Sequence, residues 1–204
     1  MAQWFTSDLH LGHANIIRYS ARPFPDIDAM NRALVDGWND VVAPSDEVWV
    51  LGDFALGAIR TTLLLVGRLH GRKYLLCGNH DRCWSGHGAR AYPWVERYRD
   101  AGFEEVHQGQ LELKVAGVDA LACHFPYTGD SHDEDRYVEA RPVDHGEWLV
   151  HGHVHERWRQ RGRMINVGVD AWAYKPVGAD ALHQLIAGGP ADLAPLASIV
   201  NEQS

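Results

Sequence analysis

Five separated clusters carry side chains able to ligate a metal: Asp8-Leu9-His10, Gly52-Asp53, Gly78-Asn79-His80-Asp81, His124 and Gly152-His153-Val154-His155. Each ends a short strand-like run, in order QWFTS, EVWVL, KYLLC, VDALAC and EWLV. Asp, His and Asn in this mixture offer the oxygen and nitrogen donors that suit Mn²⁺, Fe²⁺ or Zn²⁺. Taken singly, each cluster has a plain structural reading. Asp8 could cap a helix over 14–20, Asp53 a helix over 57–69, and His124 could be a satisfied core histidine. Together, in this order and each at a strand end, they argue for one two-metal site.

The order D-x-H, G-D, G-N-H-D, H, G-H-x-H resembles the calcineurin-like metallophosphoesterase superfamily, with the match running from Asp8 to His155. The resemblance, to a small single-domain bacterial-type member, implies an α/β fold: a four-layer α/β/β/α sandwich of two mixed β-sheets flanked by helices. It implies a dinuclear-metal-dependent phosphohydrolase. Carried over, Asp8, His10, Asp53 and His155 hold one ion, and Asp53, Asn79, His124 and His153 hold the other, with Asp53 bridging. A metal-bridging hydroxide is the expected nucleophile, His80 the general acid and Asp81 its orienting partner. Mn²⁺ is the first expectation for both ions, with Fe, Zn, Ni or Co as alternatives.

These residue types suit that chemistry. Phosphate esters resist hydrolysis because the anionic phosphorus centre repels hydroxide and alkoxides leave poorly; two metals ~3.5–4 Å apart answer both difficulties. A bridging carboxylate fixes the separation, and Gly52 before Asp53 permits close backbone approach. Strand alternation places Asp8 and His10 on one side, and likewise His153 and His155. Asn79 offers a carbonyl ligand and leaves His80 to face the leaving oxygen, where proton donation contributes about 10²–10⁴-fold. His13, after the first motif, is expected to contact phosphate or support a ligand. His151 is either support for His153 or a buried structural histidine.

The 204 residues, 46% of them hydrophobic, suit one domain with a sizeable core. It is read as spanning 1–187, followed by a loosely held C-terminal tail over 188–204. The start MAQWFTSDL lacks a basic n-region and apolar stretch. No run approaches the ~18 apolar residues that span a bilayer, so a soluble cytoplasmic protein with no membrane partner is expected. Cys77 and Cys123 lie in apolar runs and read as buried, inert thiols, and three cysteines show no zinc-like spacing. The net charge of −8 argues against tight nonspecific duplex binding.

The elements that must position the clusters follow from periodicity. Strands are expected at 2–7, 47–52, 73–77, 104–107, 110–115, 118–124, 147–151 and 163–168. Helices are expected at 14–20, 26–42 with Asp26 as N-cap and Pro44 as terminator, 57–71 closed by Gly71, and 94–101. The first half alternates strand and helix, implying right-handed parallel crossovers. Gly117 marks a hairpin in the strand-rich second half.

Between His124 and Gly152 lies a polar loop that should rim the site with Tyr127, His132, Arg136 and Arg141, its DSHDED run read as solvated. Arg18 and Arg22 are candidates to meet a substrate phosphate, although helix-surface arginines are commoner, and Asp170 a candidate to touch the rim. The segment ERWRQRGR, with Arg157, Arg159, Arg161 and Arg163, has two readings: a hairpin turning at Arg161-Gly162, or a track for single-stranded nucleic acid. A phosphodiesterase acting on a nucleotide-like phosphoester is the leading reading. A single-strand nuclease on the same site follows, then a phosphomonoesterase or a non-catalytic metal-binding scaffold.

Overall fold

A computed structural model describes residues 1–196. The first sheet has the order β10-β1-β2-β3-β4. Its strands β1 (Gln3–Thr6), β2 (Glu47–Val50), β3 (Arg72–Leu76) and β4 (Phe103–His107) are parallel neighbours, and β10 (Val177–Gly178) is antiparallel to β1. The second sheet has the order β11-β8-β9-β7-β6-β5. It is built from β5 (Gln110–Val115), β6 (Val118–Cys123), β7 (Leu149–His151), β8 (Gln160–Gly162), β9 (Met164–Asn166) and β11 (Ala191–Leu193). Within it β6, β7 and β9 are parallel, and the hairpins β5–β6 and β8–β9 are antiparallel. The expected class holds: two mixed sheets flanked by helices.

Period-two side chains explain the layering. In β3, Leu75 faces the helices while Leu76 faces the other sheet, and in β2, Val48 and Val50 face the helices while Trp49 faces inward. Helix α2 (Ile27–Val41) buries Met30, Leu34, Val35 and Trp38. Asp26 caps it, accepting the Ala29 N–H at 2.7 Å. Helices α1 (Ala14–Tyr19), α3 (Ile59–Thr62) and α4 (Tyr92–Ala101) contribute to the same helical layer.

Three expectations change. The helix read over 57–71 is α3 followed by a 3₁₀ segment, Leu63–Arg68, because Thr61, Thr62, Val66 and Gly67 are poor helix formers. The strand read over 163–168 is shorter, Met164–Asn166, and forms the second arm of the hairpin expected at Arg161-Gly162. The stretch from 188 is not loose throughout: β11 pairs with β8 and the Leu196 N–H reaches the Ala171 carbonyl at 3.0 Å. The rest of that expected tail, 197–204, lies outside the described residues. Helix α5 (Ala179–Gly188), which the sequence reading passed over, places Ala179 and Leu182 in the core between the sheets. All three cysteines are free and buried. No helix among the described residues is long and apolar enough to cross a membrane.

Candidate metal centre

All five clusters sit beyond the C-terminal ends of strands: β1, β2, β3, β6 and β7. There the loops are laced together. The Asp8 N–H reaches the Gly52 carbonyl at 3.1 Å, the His10 N–H the Asp53 carbonyl at 3.0 Å, and the Gly152 N–H the His124 carbonyl at 3.0 Å. Asp8 Oδ2 accepts the His153 N–H at 2.9 Å, joining the two sheets. A Cβ on Gly152 would collide with Ser7 Oγ and come within 2.6 Å of Asp8 Oδ2, so only glycine admits this approach.

Strand alternation is not what aims the ligands. Strand β1 ends at Thr6 and β7 at His151, so each pair lies past its strand. Asp8, His10, Asp53, His153 and His155 instead have positive φ values of 56°, 52°, 55°, 71° and 50°. Left-handed backbone is uncommon outside glycine and costs conformational energy, and here it gathers at five of the seven candidate ligands.

Asp53 occupies the middle. Its Oδ1 accepts the His80 N–H at 2.8 Å. Its Oδ2 lies 3.6 Å from His10 Nε2 and 3.5 Å from His124 Nε2, between one histidine of each expected ligand set. Asn79 Oδ1 is 3.2 Å from the same His124 nitrogen. Ligand atoms of Asp8, His10 and His155 converge within 4.8 Å of one another, as do those of Asp8, Asp53 and His124. Asp8 Oδ1 and both His10 ring nitrogens are buried without a hydrogen-bond partner. Such orphans are costly unless something pairs with them, so the donor set fits divalent cations.

The other ring nitrogens are committed. His124 Nδ1 meets the Leu51 carbonyl at 2.8 Å, leaving Nε2 toward Asp53. His155 Nδ1 meets Asp170 Oδ2 at 3.1 Å and His153 Nε2 meets Asp130 Oδ2 at 2.9 Å. Partners of this kind orient metal-binding histidines. Burial, with His155 beside it, holds His10 well below the usual imidazole range, so its ring is a neutral donor.

Of the nine motif residues, eight are buried and His80 alone is exposed. It lines a cleft of about 440 Å³ with His10, His13, Asp53, His153 and His155. Asp81 does not touch the His80 ring, which corrects its expected orienting role. Its carboxylate accepts the N–H groups of Asp53 at 2.8 Å, Gly78 at 2.9 Å and Phe54 at 3.1 Å, clamping two motif loops together. Burial and then His124 push the His80 ring down to about 4, against the charge of Asp81.

Several surrounding residues differ from expectation. Arg22 does not face a substrate: it is buried, donating to Asp170 at 2.7 and 2.9 Å and to the Asp8 and Leu9 carbonyls. Asp170 is therefore no rim residue but the link between Arg22 and His155. Burial alone would raise its carboxyl, yet Arg22 and His155 hold it at about 2. Asp130, within the supposedly solvated DSHDED run, is 4% exposed. It accepts from Arg136 at 2.7 Å, Arg141 at 3.3 Å and the His132 N–H at 3.1 Å. His151 is buried, with Nδ1 2.7 Å from the Gly152 carbonyl and Nε2 without a hydrogen-bond partner. In the arginine segment, Arg157 bonds the Ser131 carbonyl at 3.0 Å, and Arg159 and Arg161 stack on Trp172 and Trp158.

A family profile described as the calcineurin-like phosphoesterase superfamily domain matches residues 1–176. The chain belongs to that superfamily. It is thus of the class of hydrolases acting on phosphate esters, a metal-dependent family whose donors this site provides. The chain is 35% identical over 199 residues to the Gene 66 protein of Mycobacterium phage L5, covering 90% of this chain and 93% of that one. It is 37% identical to the Gene 66 protein of Mycobacterium phage D29, covering 83% and 88%. A protein of unknown function from Aquifex aeolicus shares the fold, with a TM-score of 0.68 and 25% identity over 90% of this chain and 98% of that one.

Proposed function

We propose that this phosphoesterase is a dinuclear phosphodiesterase acting on a small, nucleotide-like diester. The observation carrying the reading is the position of Asp53 Oδ2, 3.6 Å from His10 and 3.5 Å from His124. Asp8, His10, Asp53 and His155 would hold one ion, and Asp53, Asn79, His124 and His153 the other. The carboxylate and amide oxygens suit Mn²⁺, the ion proposed here, and the imidazoles also suit Fe, Zn or Ni. When bound, two such ions neutralise phosphoryl oxygens and make water nucleophilic near neutral pH.

The chain's own residues do the rest. Asp53 fixes the spacing, and the left-handed turns hold the donors without rearrangement. His80, exposed to the cleft, donates a proton to the leaving oxygen. A bound phosphate raises its proton affinity, offsetting the burial that keeps the free ring neutral. His13, with its ring 5.4 Å from that of His10, borders the phosphate position.

A diester is favoured over a monoester because three arginines close to the candidate ligands are already paired. Arg136 and Arg141 serve Asp130, and Arg22 serves Asp170, so none is free to clamp a phosphate dianion. The same commitment of Arg157, Arg159 and Arg161 weakens the single-strand nuclease reading. An exposed His80 is superfluous in a non-catalytic scaffold. Buried free cysteines, with Cys77 Sγ 3.2 Å from Cys83 Sγ, fit a reducing cytoplasm. Purified protein with Mn²⁺ should hydrolyse diesters or cyclic diesters from a phosphoester panel and stop on chelation. Hydrolysis of monoesters alone would overturn the diester assignment, and no hydrolysis would overturn the catalytic one.

A further inference from the structure

His80 is a shared wall. On one side lies the cleft of about 440 Å³ that holds the candidate ligands. On the other lies a smaller cavity of about 230 Å³, lined chiefly by Leu56, Ile59, Asn79, His80, Arg82 and His87. No carboxylate lines this second space.

Arg82 distinguishes it. The arginines flanking the centre on the other side are committed: Arg22 to Asp170, Arg136 and Arg141 to Asp130, Arg157 to Asp133. The Arg82 guanidinium makes no ion pair or hydrogen bond among the described residues, in a chain with 27 acidic against 19 basic residues. Its base is rigid. The Arg82 N–H donates to the Tyr98 hydroxyl at 3.2 Å, and Asp81 before it is pinned by the backbone donors of Gly78, Asp53 and Phe54. Arg82 is exposed, so this is an unpaired cation on an anchored backbone, beside an imidazole and an amide, and that combination suits an anion.

We propose that this cavity is a leaving-group subsite, and that the preferred substrate is a diester whose leaving group carries a phosphate of its own. The inference rests on the phosphodiesterase reading above. Hydrolysis adds a water oxygen to phosphorus and breaks the bond to the leaving oxygen, which takes a proton from His80. A group leaving on the His80 side enters the smaller cavity, where Arg82 and the His87 ring meet its anion. The cavity admits a small phosphorylated unit rather than a whole nucleoside, being below the usual size of a drug-sized ligand site.

The test compares two phenyl diesters with Mn²⁺-loaded protein, one whose leaving phenol bears a para phosphonomethyl group and its uncharged parent. The measured quantity is the ratio of their kcat/KM values. The wild-type ratio should favour the charged ester by about tenfold or more, the low end for a charge-assisted hydrogen bond. Arg82→Ala should bring it close to one, and Arg82→Lys should retain part of it. Comparable wild-type rates on both esters, or a preference that survives Arg82→Ala, would overturn the subsite while leaving the phosphodiesterase reading in place. Failure to hydrolyse either ester would overturn both.

Discussion

Asp130 Oδ2 lies 2.9 Å from His153 Nε2, so a buried carboxylate in the rim loop holds a ring of the Gly-His-Val-His motif. With Nε2 taken, Nδ1 is the nitrogen left for a metal. The same carboxylate gathers Arg136, Arg141 and the His132 N–H, tying the wall of the cleft to the centre.

Asp130→Asn should therefore weaken one of two bound Mn²⁺ ions by about 10–100-fold, the usual effect of removing a partner that orients a ligand. Titration calorimetry reads this without any substrate. Unchanged affinity for both ions would show that Asp130 serves the loop alone.

Arg22 compensates a buried charge at Asp170, and their side chains are 0% and 1% exposed. Arg22→Met keeps the volume but strands the carboxylate, which should lower stability by about 3–5 kcal/mol. Urea unfolding of the metal-free protein measures it. A loss under about 1 kcal/mol, the scale of a surface pair, would contradict the account.

Asp46 joins the chain start to the loop before β2. The Ala2 N–H, the Ala43 N–H and the Trp4 indole all donate to it, in that order of effect, and hold its carboxyl below the ordinary 3.8. A carboxyl lowered on folding contributes stability that is present above its unfolded pKa and lost as pH falls through the folded one. Stability should thus decline below about pH 4, and Asp46→Asn should flatten that decline. An unaltered acid limb in chemical denaturation would rule Asp46 out as its source.

His80→Ala should retain metal and lose rate, most for esters with poor leaving groups. Loss on the order of 10²–10⁴-fold is expected for an alkyl diester, and much less for a nitrophenyl one, which needs little protonation. Equal losses on both would show that His80 is not the proton donor.

Much of this was legible in the sequence because the motif residues fall at strand ends, and strand runs are short and apolar. Period-two and helical patterns located β1 to β7 and α2 within a few residues. The means of convergence was not legible: left-handed turns at Asp8, His10 and His155 carry only a weak propensity signal, since Asp and His are enriched in that backbone but adopt it rarely. Nor were the carboxylates behind the histidines. Asp130 sits in DSHDED, where composition alone suggests a solvated run, and its burial comes from Arg136, Arg141 and His153 folding over it. Arg22 and Asp170 are 148 residues apart, a pairing only the tertiary structure brings about. The orienting role of Asp81 was implied by the family resemblance alone, while the turn directs its carboxylate at backbone N–H groups.

The central claim is that Asp53 is shared by two ions. Mn²⁺ titration of metal-free protein, followed by calorimetry, tests it directly. The account predicts two ions per chain and weaker binding of both in Asp53→Asn. A single tightly bound ion whose affinity is unaffected by Asp53→Asn would contradict it.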